Sequence, residues 1–219
     1  MPASKGDSLR IPEKAYLPDS RSSAFGLNDI SDQYERIEVY KLENYVPEKV
    51  FTQYEVARNL HLYAYNVYRF YMVAQQQALV VLEMAIKECF DPDVLRQYAK
   101  EIGKTRGLYT CLRYVIDKGF IENADFPAWH RGPKLKAEYE YSIAKMQEMR
   151  EKGLEEIDLN YSEAVVTTTP EDFDYLEVLL NCMPKMRNSH AHGTDMLHNQ
   201  VLITFENVST IINKIYKPK

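Results

Sequence analysis

Residues 48–91 contain neither Gly nor Pro. Apolar side chains recur there mostly at steps of three or four, through Val56, Leu60, Tyr63, Val67, Phe70, Ala74, Ala78, Leu82, Ala85 and Ile86. Such steps line one face of an α-helix, so the spacing predicts a long helical stretch bounded by Pro47 and Pro92. At ~1.5 Å per residue an unbroken helix of that length would exceed the diameter of a small domain, which predicts a kink or break around residues 58–64. Val94, Tyr98, Ile102, Tyr109, Leu112, Val115 and Ile116 predict two shorter helices or one broken one, punctuated by Gly103, Gly107 and Gly119. In residues 195–216, Leu197, Val201, Phe205, Val208, Ile211, Ile212 and Ile215 keep the helical spacing despite their β-branched members, and predict a closing helix.

Between these periodic segments the texture changes. Residues 126–133 (Phe-Pro-Ala-Trp-His-Arg-Gly-Pro) predict a loop with Trp129 as aromatic anchor. A charged amphipathic helix follows through Leu135, Tyr139, Ile143, Met146 and Met149. Residues 122–168 are therefore expected to be an insertion. Thr169-Pro170-Glu171-Asp172 combines an N-cap, a first-turn proline and two acids beside the positive end of a helix dipole, and predicts a helix running to about Met183, with a break at Pro184. Residues 1–25, rich in Ser, Pro, Lys and Arg, predict an extended arm. The expected architecture is all-α, an up-and-down bundle occupying residues 26–219 as a single domain interrupted by the insertion.

Composition narrows the class of function. Hydrophobic residues make up 45% of the 219 and charged residues 27%, as in an ordinary globular chain. The net charge of −5 supplies no global attraction to nucleic acid, so any such contact has to be local. Two segments carry positive charge: residues 94–119 hold six basic side chains against two acidic ones, and residues 184–219 hold five against two. Solvated helix faces account for such segments more simply than a binding groove does. Tyr63, Tyr65, Tyr68 and Tyr71 suit core packing better than a base-stacking platform. Cys89, Cys111 and Cys182 have no paired metal-ligand spacing and are expected to be buried free thiols. Residues 1–10 lack the apolar core of a signal peptide, and no apolar run approaches the ~20 residues of a membrane span, so a cytoplasmic location is expected. Gly103-Lys104-Thr105 resembles the tail of a phosphate-binding loop, but Tyr98 stands where that loop needs its first glycine, which excludes it.

The chain's chemistry is concentrated in Met186-Arg187-Asn188-Ser189-His190-Ala191-His192-Gly193. Arginine holds a phosphate with a fixed fork of donors, and a neighbouring histidine moves a proton near neutral pH, so the pair suits work on a phosphodiester. On a regular helix residues five apart sit roughly 140° from each other, an objection that a helix end at Pro184 would soften. This Arg, polar Asn, three residues, His, Gly run resembles the signature of the HEPN superfamily, small all-helical domains found in many RNase toxins and defence proteins. Phe70-x-x-x-Ala74-x-x-x-Ala78-x-x-x-Leu82-Glu83-x-Ala85-Ile86 is similar to the family's long helix, and residues 102–121 to the segment after it. The resemblance covers about residues 50–122 and 168–216.

It implies a metal-independent, cofactor-free endoribonuclease working as a homodimer, with the motifs of two subunits meeting in one cleft. Arg187 would polarise the scissile phosphate, His192 would carry the proton, and Asn188 would orient the pair. Glu83 would support them as the acidic helix residue, and His190, which has no general counterpart in the family, would be a local addition. RNA is the implied partner, with an antitoxin or nucleotidyltransferase as a further one. Two other readings stand beside it. One is a non-catalytic module of the same fold that binds a nucleotide or a protein. The other is a metalloenzyme using His190, His192, His198 and Asp195, since His-x-His can ligate zinc.

Overall fold

The computed structural model describes residues 7–105, 107–191 and 197–218. Among them eight α-helices form and no strand does: α1 Ile30–Glu38, α2 Glu48–Tyr63, α3 Phe70–Cys89, α4 Pro92–Glu101, α5 Leu108–Asp117, α6 Pro127–Glu151, α7 Tyr175–Ala191 and α8 Leu202–Tyr216. No helix is long and apolar enough among the described residues to cross a membrane. The chain divides into two compact units, residues 1–121 with 179–219, and residues 122–178.

In the first unit α3 is the central element and packs on α2, α5 and α8. Its Ala74, Ala78, Leu79, Leu82, Ala85 and Ile86 are inaccessible to solvent, as are Val50 and Tyr54 of α2, Leu112 of α5, and Phe205, Val208, Ile211 and Ile212 of α8. Small residues on α3 let neighbouring backbones come close, and each large apolar side chain buried here is worth about 1.5–3 kcal/mol. Tyr54 and the Gln33, His61 and Tyr71 cluster satisfy their polar groups inside this core. The Tyr54 hydroxyl donates to the Tyr40 and Phe205 carbonyls at 3.0 and 3.3 Å, and burial pushes its phenol pKa up. Gln33 Nε2 donates to the His61 carbonyl at 2.7 Å and faces His61 Nδ1 at 3.2 Å, while Tyr71 Oη donates to Gln33 Oε1.

The long helical stretch breaks at residues 64–69, just past the expected position. Of the expected arm, residues 7–25 are described, and the break is what ties them down. Backbone groups freed where a helix stops need partners, and the N-terminal segment supplies them. Asp19 N–H and Ser22 Oγ donate to the Tyr65 carbonyl, and Tyr68 N–H donates to the Asp19 carboxylate. Arg21 bridges Asp19 and Asp7 and lies 4.4 Å over the Tyr68 ring, and Arg69 pairs with Asp7. Burial pushes the Asp19 carboxyl pKa up, but hydrogen bonds from Arg21 outweigh it and hold the group below its ordinary value. Residues 7–28 thus turn through two short 3-10 segments and fold onto the α2–α3 junction. Tyr65, Tyr68 and Tyr71 are buried there as packing residues, whereas Tyr63 is half exposed.

The second unit corrects two further expectations. Residues 127–133 are not a loop: α6 starts at Pro127, which needs no donor at a first helical position, and continues through Gly132 and Pro133. Trp129 is buried and donates from Nε1 to the Phe173 carbonyl at 2.7 Å. The anchor therefore belongs to a helix. Thr169 and Asp172 form their capping box around a single 3-10 turn, Pro170–Asp172; α7 begins three residues later. Of the cysteines only Cys111 is buried, with burial pushing its thiol pKa up to about 11; Cys89 is partly exposed and Cys182 exposed.

Candidate functional site

Helix α7 does not end at Pro184. It runs through the proline to Ala191, because Leu179, Leu180 and Met183 are buried and hold the helix in place. That packing offsets the ~3 kcal/mol cost of an interior proline. Arg187 follows Met183 by four residues and so shares its inward face.

Arg187 meets α3 at Glu83. Its Nε lies 3.4 Å from Glu83 Oε2, within ion-pair range but not aligned as a hydrogen bond, and both atoms are buried without a hydrogen-bond partner. The other Glu83 oxygen is taken by Lys87, one turn along α3. Arg187 keeps 35% of its side chain exposed, whereas Glu83 keeps 11%. With Nε held against Glu83, the terminal nitrogens are the part that can meet a phosphate, and one of them donates to Asn188 Oδ1 at 3.4 Å.

The opposite wall comes from the α4–α5 connection. Gly103 takes φ +64°, its N–H donates to the Lys100 carbonyl, and the next N–H, of Lys104, reaches back to the Ala99 carbonyl. This left-handed helix end fixes where Lys104 leaves the helix. Beyond it, Thr110 Oγ donates to the Thr105 carbonyl at 2.6 Å and ties the connection to α5. Glu83, Lys104, Thr105, Gly107, Leu108, Tyr109, Pro184, Arg187 and Asn188 line one cavity of about 390 Å³. Among the described residues its lining holds two cations, Lys104 and Arg187, against the one carboxylate of Glu83, in a protein whose total charge is negative. A second cavity in the same unit, about 410 Å³, is lined by Lys87, Pro92, Leu95, Thr110 and Cys111, with Lys87 the one charged group among the described residues.

Of the residues singled out in the sequence, Arg187, Asn188 and Glu83 come together in the first cavity. His190 is placed elsewhere. Its Nε2 sits 2.9 Å from Gln75 Oε1, while Gln75 Nε2 donates to Thr204 Oγ1 at 2.9 Å; the amide's roles make His190 Nε2 the protonated nitrogen. Burial, with His198 adding to it, lowers the His190 pKa, so this ring is neutral at neutral pH. His192 and Gly193, like Asp195 of the metal reading and Arg106 of the first basic segment, lie outside the described residues. Among the described residues no group of three or more His, Cys, Asp or Glu could hold a metal ion. Lys104 and Tyr109 are lining residues that the motif does not point to. Lys104 stood out only as one charge in a basic segment and in the excluded phosphate-loop tail Gly103-Lys104-Thr105, and Tyr109 only as a member of an apolar stripe.

Compared with family models, curated proteins and solved structures, the chain finds no match.

Proposed function

We propose that this protein is a metal-independent endoribonuclease of HEPN type, cutting RNA through the ribose 2′-hydroxyl at a site where two copies of the Arg187, Asn188 and His192 run meet. The observation that supports the reading is the convergence of Arg187 and Asn188 with Lys104 in one cavity, where the guanidinium is backed by Glu83. A phosphodiester seated there has its negative charge met by a fork of donors whose position is already set. In the reaction the 2′-oxygen attacks phosphorus and the bond to the 5′-oxygen breaks, leaving a cyclic phosphate and a free 5′-hydroxyl. His192 takes the 2′ proton or supplies one to the leaving oxygen, and Arg187 stabilises the charge building on the phosphoryl oxygens.

The test is incubation of single-stranded RNA with the purified protein in excess EDTA. Cleavage to cyclic-phosphate and 5′-hydroxyl products is expected, with none from Arg187→Ala or His192→Ala and none where the nucleotide before the cut is 2′-deoxy. Cutting of DNA, or dependence on a divalent ion, removes the mechanism.

One observation favours a second reading, a module that binds a nucleotide or a partner protein without cutting. Glu83 already stands within ion-pair distance of Arg187, so a phosphate has to compete with a resident carboxylate. RNA bound in EDTA but left intact, with affinity lost in Arg187→Ala, would favour that reading.

A further inference from the structure

We infer that Lys104 and Tyr109 form a nucleotide subsite beside Arg187, with the ammonium holding the phosphate next to the one Arg187 grips and the phenol ring stacking on a base of single-stranded RNA. The inference rests on the ribonuclease reading for the identity of its ligand, and on the cavity for its geometry.

Three observations carry it. Lys104, Tyr109, Arg187 and Asn188 line the same cavity, and its volume of about 390 Å³ falls within the roughly 300–1,000 Å³ of pockets that take small organic ligands. Lys104 Nζ lies 5.8 Å from the Tyr109 ring centroid, so cation and aromatic face already stand together. This pairing is what a nucleotide needs, one group for the phosphate and a flat face for the base. The presentation is also firm. The left-handed turn at Gly103 sets the backbone of Lys104, Thr110 pins the connection, and Tyr109 sits in the first turn of α5 between the buried Leu108 and Thr110. Tyr109 is half-buried and Lys104 exposed, so a ligand can reach both without unpacking the core. Stacking tolerates any base because every base has a π-face, so the subsite would select single strands over duplex more strongly than one sequence over another.

The test is binding, read by fluorescence anisotropy in EDTA, of a fluorescein-labelled oligouridylate to protein carrying His192→Ala, so that the probe survives. Added Tyr109→Ala should weaken binding about tenfold. Added Tyr109→Phe should leave it unchanged, which also guards against a folding artefact. Lys104→Ala should weaken binding and reduce the slope of log affinity against log salt by about 0.7. An oligomer of abasic ribose phosphates should bind with the same affinity whether residue 109 is Tyr or Ala. Parent-like binding by either alanine variant, equal losses for the basic and abasic probes on Tyr109→Ala, or no binding by the parent overturns the subsite. The ribonuclease reading fails separately. RNA held through Lys104 and Tyr109 but never cut removes the catalysis and keeps the subsite, whereas cutting that ignores both residues removes the subsite alone.

Discussion

His61 of α2 is buried against α1, α3 and α8 with its ring edge-on to Tyr71 and Phe205, and burial, helped by the charge of Arg36, pushes its pKa down to about 3. The unfolded chain keeps an imidazole of ordinary pKa near 6.5, so on acidification the unfolded state binds the proton first. The stability from this neutral ring is complete above about pH 6.5 and lost progressively as pH falls toward 3. Denaturant titrations should show a loss of roughly 2–3 kcal/mol between about pH 7 and pH 4.5, and His61→Gln should flatten that slope. Asp19, with its lowered pKa, acts in the same direction further into acid, below the ordinary carboxylate range. Among the histidines, His198 separates the two candidate chemistries. The metal reading needs it and the ribonuclease reading does not, so His198→Ala should cut RNA at close to the parent rate in EDTA. Equal inactivation by His198→Ala, Arg187→Ala and His192→Ala, reversed by added zinc, would instead favour the metal reading.

At the scale of elements, Gly103 links fold and site. A Cβ added there meets nothing within 4 Å, so the whole cost of Gly103→Ala lies in its backbone, held at φ +64°. That cost is about 1 kcal/mol. Since the same turn sets Lys104, RNA affinity should fall as well, and a thermal melt beside a binding curve separates the two effects. The helices read in advance, α2, α3, α4, α5 and α8, are those whose apolar residues recur at the helical period. The two whose course was misread, α6 and α7, contain interior prolines. Pro133 and Pro184 lie inside α6 and α7 because buried neighbours, Trp129 in one and Met183 in the other, outweigh the lost backbone bond, and no local rule weighs tertiary burial. The site was legible to the extent that its chemistry is contiguous: Arg187 and Asn188 are adjacent, and Glu83 sits on a long helix. Lys104 and Tyr109 reach the same cavity through a helix end and a connection whose path depends on packing, so spacing along the chain carries no sign of them. The N-terminal segment escaped for a similar reason, since its partners, Tyr65 and Tyr68, lie more than forty residues away.

For the whole molecule, the proposed site needs two copies of the chain, so activity should track association. Sedimentation at micromolar concentration should find a dimer, and dilution below its dissociation constant should reduce the specific rate. A strictly monomeric protein that still cuts would contradict the composite site. The division into two units has a further consequence, because the chain's only tryptophan, Trp129, is buried in the 122–178 unit and hydrogen-bonded to Phe173 within it. Indole emission therefore reports the melting of that unit alone, whereas far-ultraviolet circular dichroism is dominated by the helices of the other. Titrated with denaturant and followed by both signals, the protein should give coincident curves only if the units unfold together. Separated midpoints would measure two stabilities in one unlabelled sample.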